Sequence, residues 1–134
     1  MCYGGRVGKL YSDVILDRFK HPRYLGELDA PDATYEDVNP LCGDRVRIEL
    51  RLDGGPTAEI EAVRYRGDAC AIALAAADLL AEMVQGRPAR EAGRVERDTL
   101  LAALRADIRP SRLRCVTLPL DVLRAALKRV EVAR

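Results

Sequence analysis

Cys42 is the first residue of this chain whose type and setting could support chemistry. It lies in residues 39–44 (Asn-Pro-Leu-Cys-Gly-Asp), two positions before the carboxylate of Asp44. Gly43 between them gives the backbone the freedom to bring a thiol and a carboxylate to one point. A thiolate and a carboxylate are both metal ligands, so this turn is a candidate metal-binding segment.

Cys70 and Cys115 have surroundings that favour a charged thiolate. Cys70 stands at the predicted start of a long helix, where free backbone N–H groups and the helix dipole stabilise negative charge. Cys115 is flanked by Arg112 and Arg114, whose positive charges act in the same sense. Both cysteines are predicted at junctions between a loop and an element, where scaffolds commonly present functional groups.

The spacing of the cysteines leaves two interpretations open. The chain contains 4 cysteines, the fourth being Cys2, and none belongs to a Cys-x-x-Cys pair. Any shared metal site must therefore be assembled by the fold from remote segments. Free cysteines are also among the most buried residue types, so isolated ones can simply fill the core. The spacing alone does not decide between these alternatives.

Helical patterns lie on both sides of a central strand-rich region. Residues 9–20 show apolar side chains at helical spacing, and 71–85 are rich in Ala and Leu before a terminating Gly86. Residues 98–105 predict a short helix capped by Asp98. A final helix is predicted over 118–130, with Thr117 as its cap and Pro119 in its first turn.

The central region predicts a small antiparallel sheet. Val46, Ile48, Leu50 and Leu52 alternate with charged residues, the pattern of a strand with one solvated face. A turn at 53–56 leads to a second strand at 57–66, whose shift in phase indicates a bulge, and 33–38 is a weaker third strand. We therefore predict an α+β fold with about three antiparallel strands packed against several helices.

Composition places the chain among ordinary globular domains and excludes some functions. Its 134 residues suit a single domain over 9–134, preceded by a disordered segment over 1–8. Lys and Arg number 22 against 21 Asp and Glu, a balance that argues against nucleic acid as a partner. Neither a membrane span nor a secretory signal is visible, so we expect a reducing cytoplasmic setting.

Five segments, taken in their order along the chain, resemble the IscU/SufU/NifU-type family of iron–sulfur cluster assembly scaffolds. They are residues 10–17 (LYSDVILD), 21–26 (HPRYLG), 39–44 (NPLCGD), 67–72 (GDACAI) and 112–118 (RLRCVTL). The resemblance extends over nearly the whole chain from residue 10 to residue 127, with the segments in the family's order and at similar spacing. Several short motifs in register are far more specific than any one of them.

The resemblance implies one metal site and a function. Its ligands would be Cys42, Asp44, Cys70 and Cys115, holding iron or a transient [2Fe–2S]-type cluster, with zinc as an alternative occupant. The implied function is a scaffold that accepts sulfur from a cysteine desulfurase, assembles a cluster and transfers it to apo iron–sulfur proteins. The alternative is a SufU-like, zinc-dependent sulfurtransferase with Cys115 as persulfide acceptor. Whether the chain is an enzyme stays open, and a purely structural zinc is a weaker third hypothesis.

Two features bear on the branch of the family. Arg114 stands where the IscU branch carries histidine and is more similar to the SufU branch, yet residues 86–109 are too short for the segment that SufU proteins usually insert. Residues 108–112 match the chaperone-binding motif of IscU proteins only loosely, which leaves a dedicated chaperone doubtful as a partner. The sequence does not decide between scaffold and sulfurtransferase.

Overall fold

The computed structural model describes residues 12–41, 43–54 and 58–133, with side chains up to Val130. Its three strands are β1 (Ala33–Asn39), β2 (Asp44–Leu52) and β3 (Ile60–Asp68). The helices are α1 (Asp13–Lys20), α2 (Ala71–Val84), α3 (Ala89–Ala92), α4 (Arg97–Leu104) and α5 (Leu113–Ala133), and a 3₁₀ turn (Pro110–Arg112) leads into α5. The predicted α+β fold is confirmed.

The sheet is antiparallel in the order β1–β2–β3, with β2 in the centre. Val46, Ile48, Leu50 and Leu52 are all buried on the face that α2 and α5 cover, as their alternation predicts. The predicted bulge is present because Arg51 pairs with Ala62 while Leu52 pairs with Ile60. It lets the strand bury Ile60 before the bulge and Val63 and Tyr65 after it.

The outer face of β2 is less solvated than the alternation predicts. Glu49 is buried because the segment that follows α1 covers it. The Glu49 carboxylate accepts hydrogen bonds from the Leu28 backbone N–H at 2.7 Å and from Arg47 Nε at 2.9 Å. The Asp32 carboxylate accepts the Leu52 N–H at 2.6 Å, so two acidic side chains hold this segment on the sheet.

The ends of α1 and α2 match the predictions, but the starts of α1 and α5 do not, since the first helix was predicted from residue 9 and α1 begins at Asp13. α1 begins behind Ser12, whose hydroxyl accepts the Ile15 N–H, and α2 ends at the predicted place. α5 begins at Leu113, so Thr117 is not its cap and Pro119 lies well inside the helix. The cap of α4 was also wrong, because Glu96 precedes this helix and Asp98 lies in its first turn. The one-turn helix α3 was not predicted.

Among the described helices, none combines the length and the apolar character that a bilayer span needs. The hydrophobic core lies between the sheet and the helices. Its largest fully buried side chains include Tyr65, Ile15, Ile48, Ile72, Leu100 and Leu123.

Gly67 is the position in the sheet where a side chain cannot be added. It pairs with Val46 near the end of β3, and a Cβ there would lie 2.6 Å from the Arg45 carbonyl oxygen and 3.3 Å from Leu74 Cδ2. The Arg45 carbonyl belongs to the backbone of β2 and cannot rotate away. Glycine therefore allows β2, β3 and the start of α2 to approach closely at this point.

Gly67→Ala is expected to lower the free energy of unfolding by about 2 to 3 kcal/mol, because the backbone must shift to admit the methyl group. The measurement is urea unfolding followed by circular dichroism. Gly93→Ala is the matched control: its Cβ would meet only Leu127 Cδ1, at an ordinary 3.6 Å. Equal stability of the two alanine variants would contradict this explanation of Gly67.

Candidate metal and sulfur site

Asp44 is positioned by a tight turn between β1 and β2. The Asn39 carbonyl accepts the Gly43 N–H at 2.7 Å, and the Asn39 side chain accepts the Leu41 N–H at 3.1 Å. Gly43 adopts a φ of 75°, a conformation that residues with side chains rarely take. The turn delivers Asp44 as the first residue of β2, with its carboxylate buried.

Cys70 lies where β3 passes into α2. It is the N-cap residue of α2, with extended backbone angles and no capping hydrogen bond from its own side chain. Its backbone N–H instead donates to Asp44 Oδ1 at 3.1 Å. The carboxylate thus satisfies one of the N–H groups that a helix start leaves without an intrahelical partner. The predicted junction position of Cys70 is confirmed.

Cys115 lies in the first turn of α5 rather than in a loop before it. Its thiol is buried and donates a hydrogen bond to Asp44 Oδ2 at 3.6 Å. Pro119, four residues further on, has no N–H to donate to the Cys115 carbonyl, so the regular helical hydrogen bond at this rung is missing. Proline therefore loosens the helix at the residue that carries the buried thiol.

The fold brings three of the four predicted site residues to one point. The ligand atoms of Asp44, Cys70 and Cys115 all lie within 4.8 Å of one another. Two thiols and a carboxylate so close together suit zinc, iron or an iron–sulfur cluster, because all three accept thiolate ligands. Cys42 lies outside the described residues. Its neighbours Leu41 and Gly43 belong to the turn that carries Asp44.

Arg112 is a positively charged residue that contacts the two thiols of the site, those of Cys70 and Cys115. Hydrogen bonds from its guanidinium to Cys115 and then Cys70 raise the pKa of Arg112 further above its usual value. Two other arginines near the site in the sequence, Arg114 and Arg45, lie at the surface. Arg114 is exposed, and Arg45 is 58% exposed and pairs with Glu36 at 3.6 Å.

Burial decides the charge state of Cys115. It raises the pKa of this thiol to about 12 from the ordinary 9.0, and the neighbouring Cys70 raises it as well. The hydrogen bond from Arg112 lowers the pKa of Cys115, as the sequence predicts for a flanking arginine, but burial has the larger effect. The thiol is protonated near neutral pH, and a metal ion binding here must displace a proton.

Arg112→Ala is expected to slow alkylation of Cys115 by iodoacetamide about tenfold, because loss of the guanidinium removes an interaction that lowers the pKa of this thiol. In the unsubstituted chain the rate should keep increasing with pH toward about 12, well past the usual 9.0. Mass spectrometry of the Cys115 peptide measures the rate. Arg114→Ala removes the same charge from an exposed position, and an equal slowing by this variant would contradict the role of Arg112.

A further buried carboxylate, Asp78, was not singled out from the sequence. It lies on α2 with its side chain fully buried and accepts hydrogen bonds from Arg18 Nη1 at 2.9 Å, the Arg23 N–H at 2.9 Å and the Tyr24 N–H at 2.8 Å. The Tyr65 hydroxyl also donates to it. The sequence does contain a sign of Asp78's role, because it is an acidic residue within a predominantly apolar helix. Asp78 joins α1 and the segment behind it to the sheet that carries the site.

The fold and the site together define a class: an α+β domain that presents a carboxylate and two thiols at the junctions of its elements. The chain belongs to the family of the NifU-like N terminal domain, whose model matches residues 10–133. The resemblance seen in the sequence is thereby confirmed, and the family accounts for nearly the whole chain.

Named relatives fall in both branches of this family. The chain is 30% identical over 118 residues to the iron-sulfur cluster assembly scaffold protein IscU 1 of Archaeoglobus fulgidus, covering 88% of this chain and 74% of the relative. It is 34% identical over 88 residues to the zinc-dependent sulfurtransferase SufU of Bacillus subtilis, covering 65% of this chain and 56% of the relative. The sequence identities to these two relatives, 30% and 34%, are similar.

The chain spans only part of some relatives. It is 34% identical over 118 residues to the bifunctional protein NifU/MnmA of Rubrobacter xylanophilus, covering 88% of this chain but 24% of that protein. Among solved structures, FiSufU of the SUF system from Fervidobacterium islandicum superposes with a TM-score of 0.75 at 25% identity, covering 88% of this chain and 96% of that one. The structural likeness confirms the fold.

Proposed function

We propose that this chain is an iron–sulfur cluster assembly scaffold. It accepts sulfur from a cysteine desulfurase, assembles a [2Fe–2S]-type cluster on Cys42, Asp44, Cys70 and Cys115, and transfers it to apo-proteins in the cytoplasm. The observation that carries the proposal is the convergence of Asp44, Cys70 and Cys115 within 4.8 Å, from three remote segments of the chain. The relative named as a scaffold over most of this chain supports it.

The mixed ligand set suits a protein that releases its cargo. Thiolates hold iron firmly, whereas a carboxylate is a harder ligand and a weaker partner for a cluster. Asp44 also has alternative partners when no metal is bound, since its oxygens accept hydrogen bonds from the Cys70 N–H and the Cys115 thiol. Exchange of these hydrogen bonds for a metal bond, and back, gives the site one replaceable ligand.

A zinc-dependent sulfurtransferase is the second candidate, and Arg112 favours it. Zinc bound to these residues would order the site without redox chemistry. Arg112 hydrogen-bonds both thiols, which favours the thiolate that sulfur transfer requires. In this mode Cys115 accepts sulfur as a persulfide, and no cluster is built.

Metal and acid-labile sulfide analysis of the chain purified without oxygen, with its visible spectrum, distinguishes the two functions. The scaffold is expected to contain iron with matching sulfide, or to gain both when reconstituted with iron, cysteine and a desulfurase. Zinc at about one ion per chain that is retained during reconstitution, without sulfide, would assign the sulfurtransferase instead. Neither metal nor sulfide, before or after reconstitution, would contradict both functions.

A further inference from the structure

A basic groove lies between α3 and α5, away from the thiols. We call it the α3–α5 groove; it is lined by the cations Arg90, Arg94, Arg124 and Lys128 above an apolar floor of Gly93 and Leu127, and its cavity volume is about 250 Å³. That volume suits one large side chain rather than a whole cofactor. The groove therefore combines a small apolar pocket with a strongly positive rim.

The positive charge of the groove is not balanced by its lining. In the part of the chain that the structure describes, Arg90, Arg94, Arg124 and Lys128 form no ion pair. The chain as a whole has a formal net charge of only +1. Four cations around one small cavity are thus a local concentration of charge, and their mutual repulsion is relieved when an anionic partner binds.

The groove is also held in shape. Arg124 Nη2 donates to the Val95 carbonyl at 2.8 Å and Nε donates to the Gly93 carbonyl at 3.3 Å, which joins α5 to the end of α3. Lys128 lies four residues after Arg124, on the same face of the helix. A rigid guanidinium beside an apolar floor lowers the conformational cost of binding.

We propose that the α3–α5 groove docks an acidic polypeptide segment of a partner protein, with one apolar side chain on the floor and carboxylates on the rim. Charge complementarity selects the acidic partner, and the small floor selects a single anchor. A nucleic acid fits less well, because the lining contains no aromatic side chain on which a base could stack.

The groove lies far enough from the thiols to serve as a separate docking point. Leu127 follows Cys115 by 12 residues on α5, which corresponds to about 18 Å along the helix axis. A partner docked here contacts α5 well away from Cys115. The inference does not depend on the proposed function, because peptide binding requires neither metal nor sulfur.

The test uses a fluorescein-labelled peptide with one leucine flanked on both sides by aspartate and glutamate, and follows its fluorescence anisotropy with the full chain. Saturable binding that weakens with added salt is expected, since the rim charges are exposed. Replacing the peptide's leucine by serine should weaken binding if the floor holds the anchor. Gly93→Leu, which fills the floor next to Leu127, should remove the difference between the two peptides.

Charge reversal provides the matched variants. Arg94→Glu combined with Lys128→Glu is expected to weaken binding of the leucine peptide at least about tenfold. Lys20→Glu combined with Arg105→Glu changes the net charge equally at exposed positions on α1 and after α4, and binding should stay within about twofold of the unsubstituted chain. Circular dichroism verifies that both variants fold.

Three results would overturn the proposal. The first is no saturable binding of the acidic leucine peptide at low salt. The second is an equal loss in the groove variant and in the control variant, which would indicate attraction to the chain as a whole. The third is tighter binding of a single-stranded oligonucleotide of matched charge, lost in the groove variant, which would assign the groove to nucleic acids.

Discussion

Cys115→Ser is expected to abolish the acceptance of sulfur from a cysteine desulfurase. In the proposed transfer, the Cys115 thiol, which is protonated near neutral pH, first gives up its proton to the solvent, and the resulting thiolate attacks the outer sulfur of the desulfurase persulfide. A new S–S bond forms at Cys115, the S–S bond on the desulfurase breaks, and its cysteine leaves as a thiolate with the electron pair. Serine cannot take part, because its hydroxyl is a far weaker nucleophile and forms no stable bond to the transferred sulfur.

Persulfide on the chain is measured by mass spectrometry after incubation with cysteine and a desulfurase, before and after treatment with a reductant. Arg114→Ala is a control that keeps all thiols and changes only an exposed neighbour. Circular dichroism of Cys115→Ser establishes that the variant folds. Undiminished persulfide in the serine variant would exclude Cys115 as the acceptor, and would direct attention to Cys70 or Cys42.

Asp78→Ala is expected to destabilise the chain by about 4 kcal/mol, the largest loss of stability that we predict. The change leaves Arg18, whose side chain is only 11% exposed, without its buried partner at 2.9 Å. It also removes the acceptor of two backbone N–H groups, those of Arg23 and Tyr24. Breaking a buried ion pair from one side costs about 3 to 5 kcal/mol because the remaining charge stays desolvated.

Urea unfolding monitored by circular dichroism measures this loss. Glu82→Ala is the matched control, because Glu82 is the second partner of Arg18, at 2.6 Å, but its side chain is 49% exposed. An exposed pair contributes no more than about 1 kcal/mol. If the two variants lose the same stability, the buried carboxylate is not the principal connection between α1 and α2.

The strongest local patterns predicted the elements that carry the site. The alternation from Val46 to Leu52 identified β2 and its buried face, because period-two burial is visible in sequence alone. The start of α5 could not be identified in this way. Pro119 is common in a first helical turn, so the pattern placed the cap at Thr117, whereas the fold accommodates proline inside a helix that begins at Leu113.

The site itself required more than local pattern. Glycine and proline near Cys42, and a helix start at Cys70, suggested functional positions without showing that they meet. The contact between Asp44 and Cys115 depends on how α5 docks on the sheet, which no local signal encodes. The burial that makes Cys115 a weak acid is likewise a tertiary effect, and it outweighs the arginine that the sequence placed beside it.

The bond between Cys115 and Asp44 has a consequence for the timing of protein synthesis. The two residues are separated by 71 positions, and Cys115 belongs to α5. While the chain is being made, Asp44 and Cys70 emerge from the ribosome long before their third partner. Asp44, Cys70 and Cys115 come together only after α5 has been synthesised and has docked on the sheet. An unfinished chain thus lacks Cys115 at this point, so a metal ion that requires all three side chains can bind only after α5 has docked.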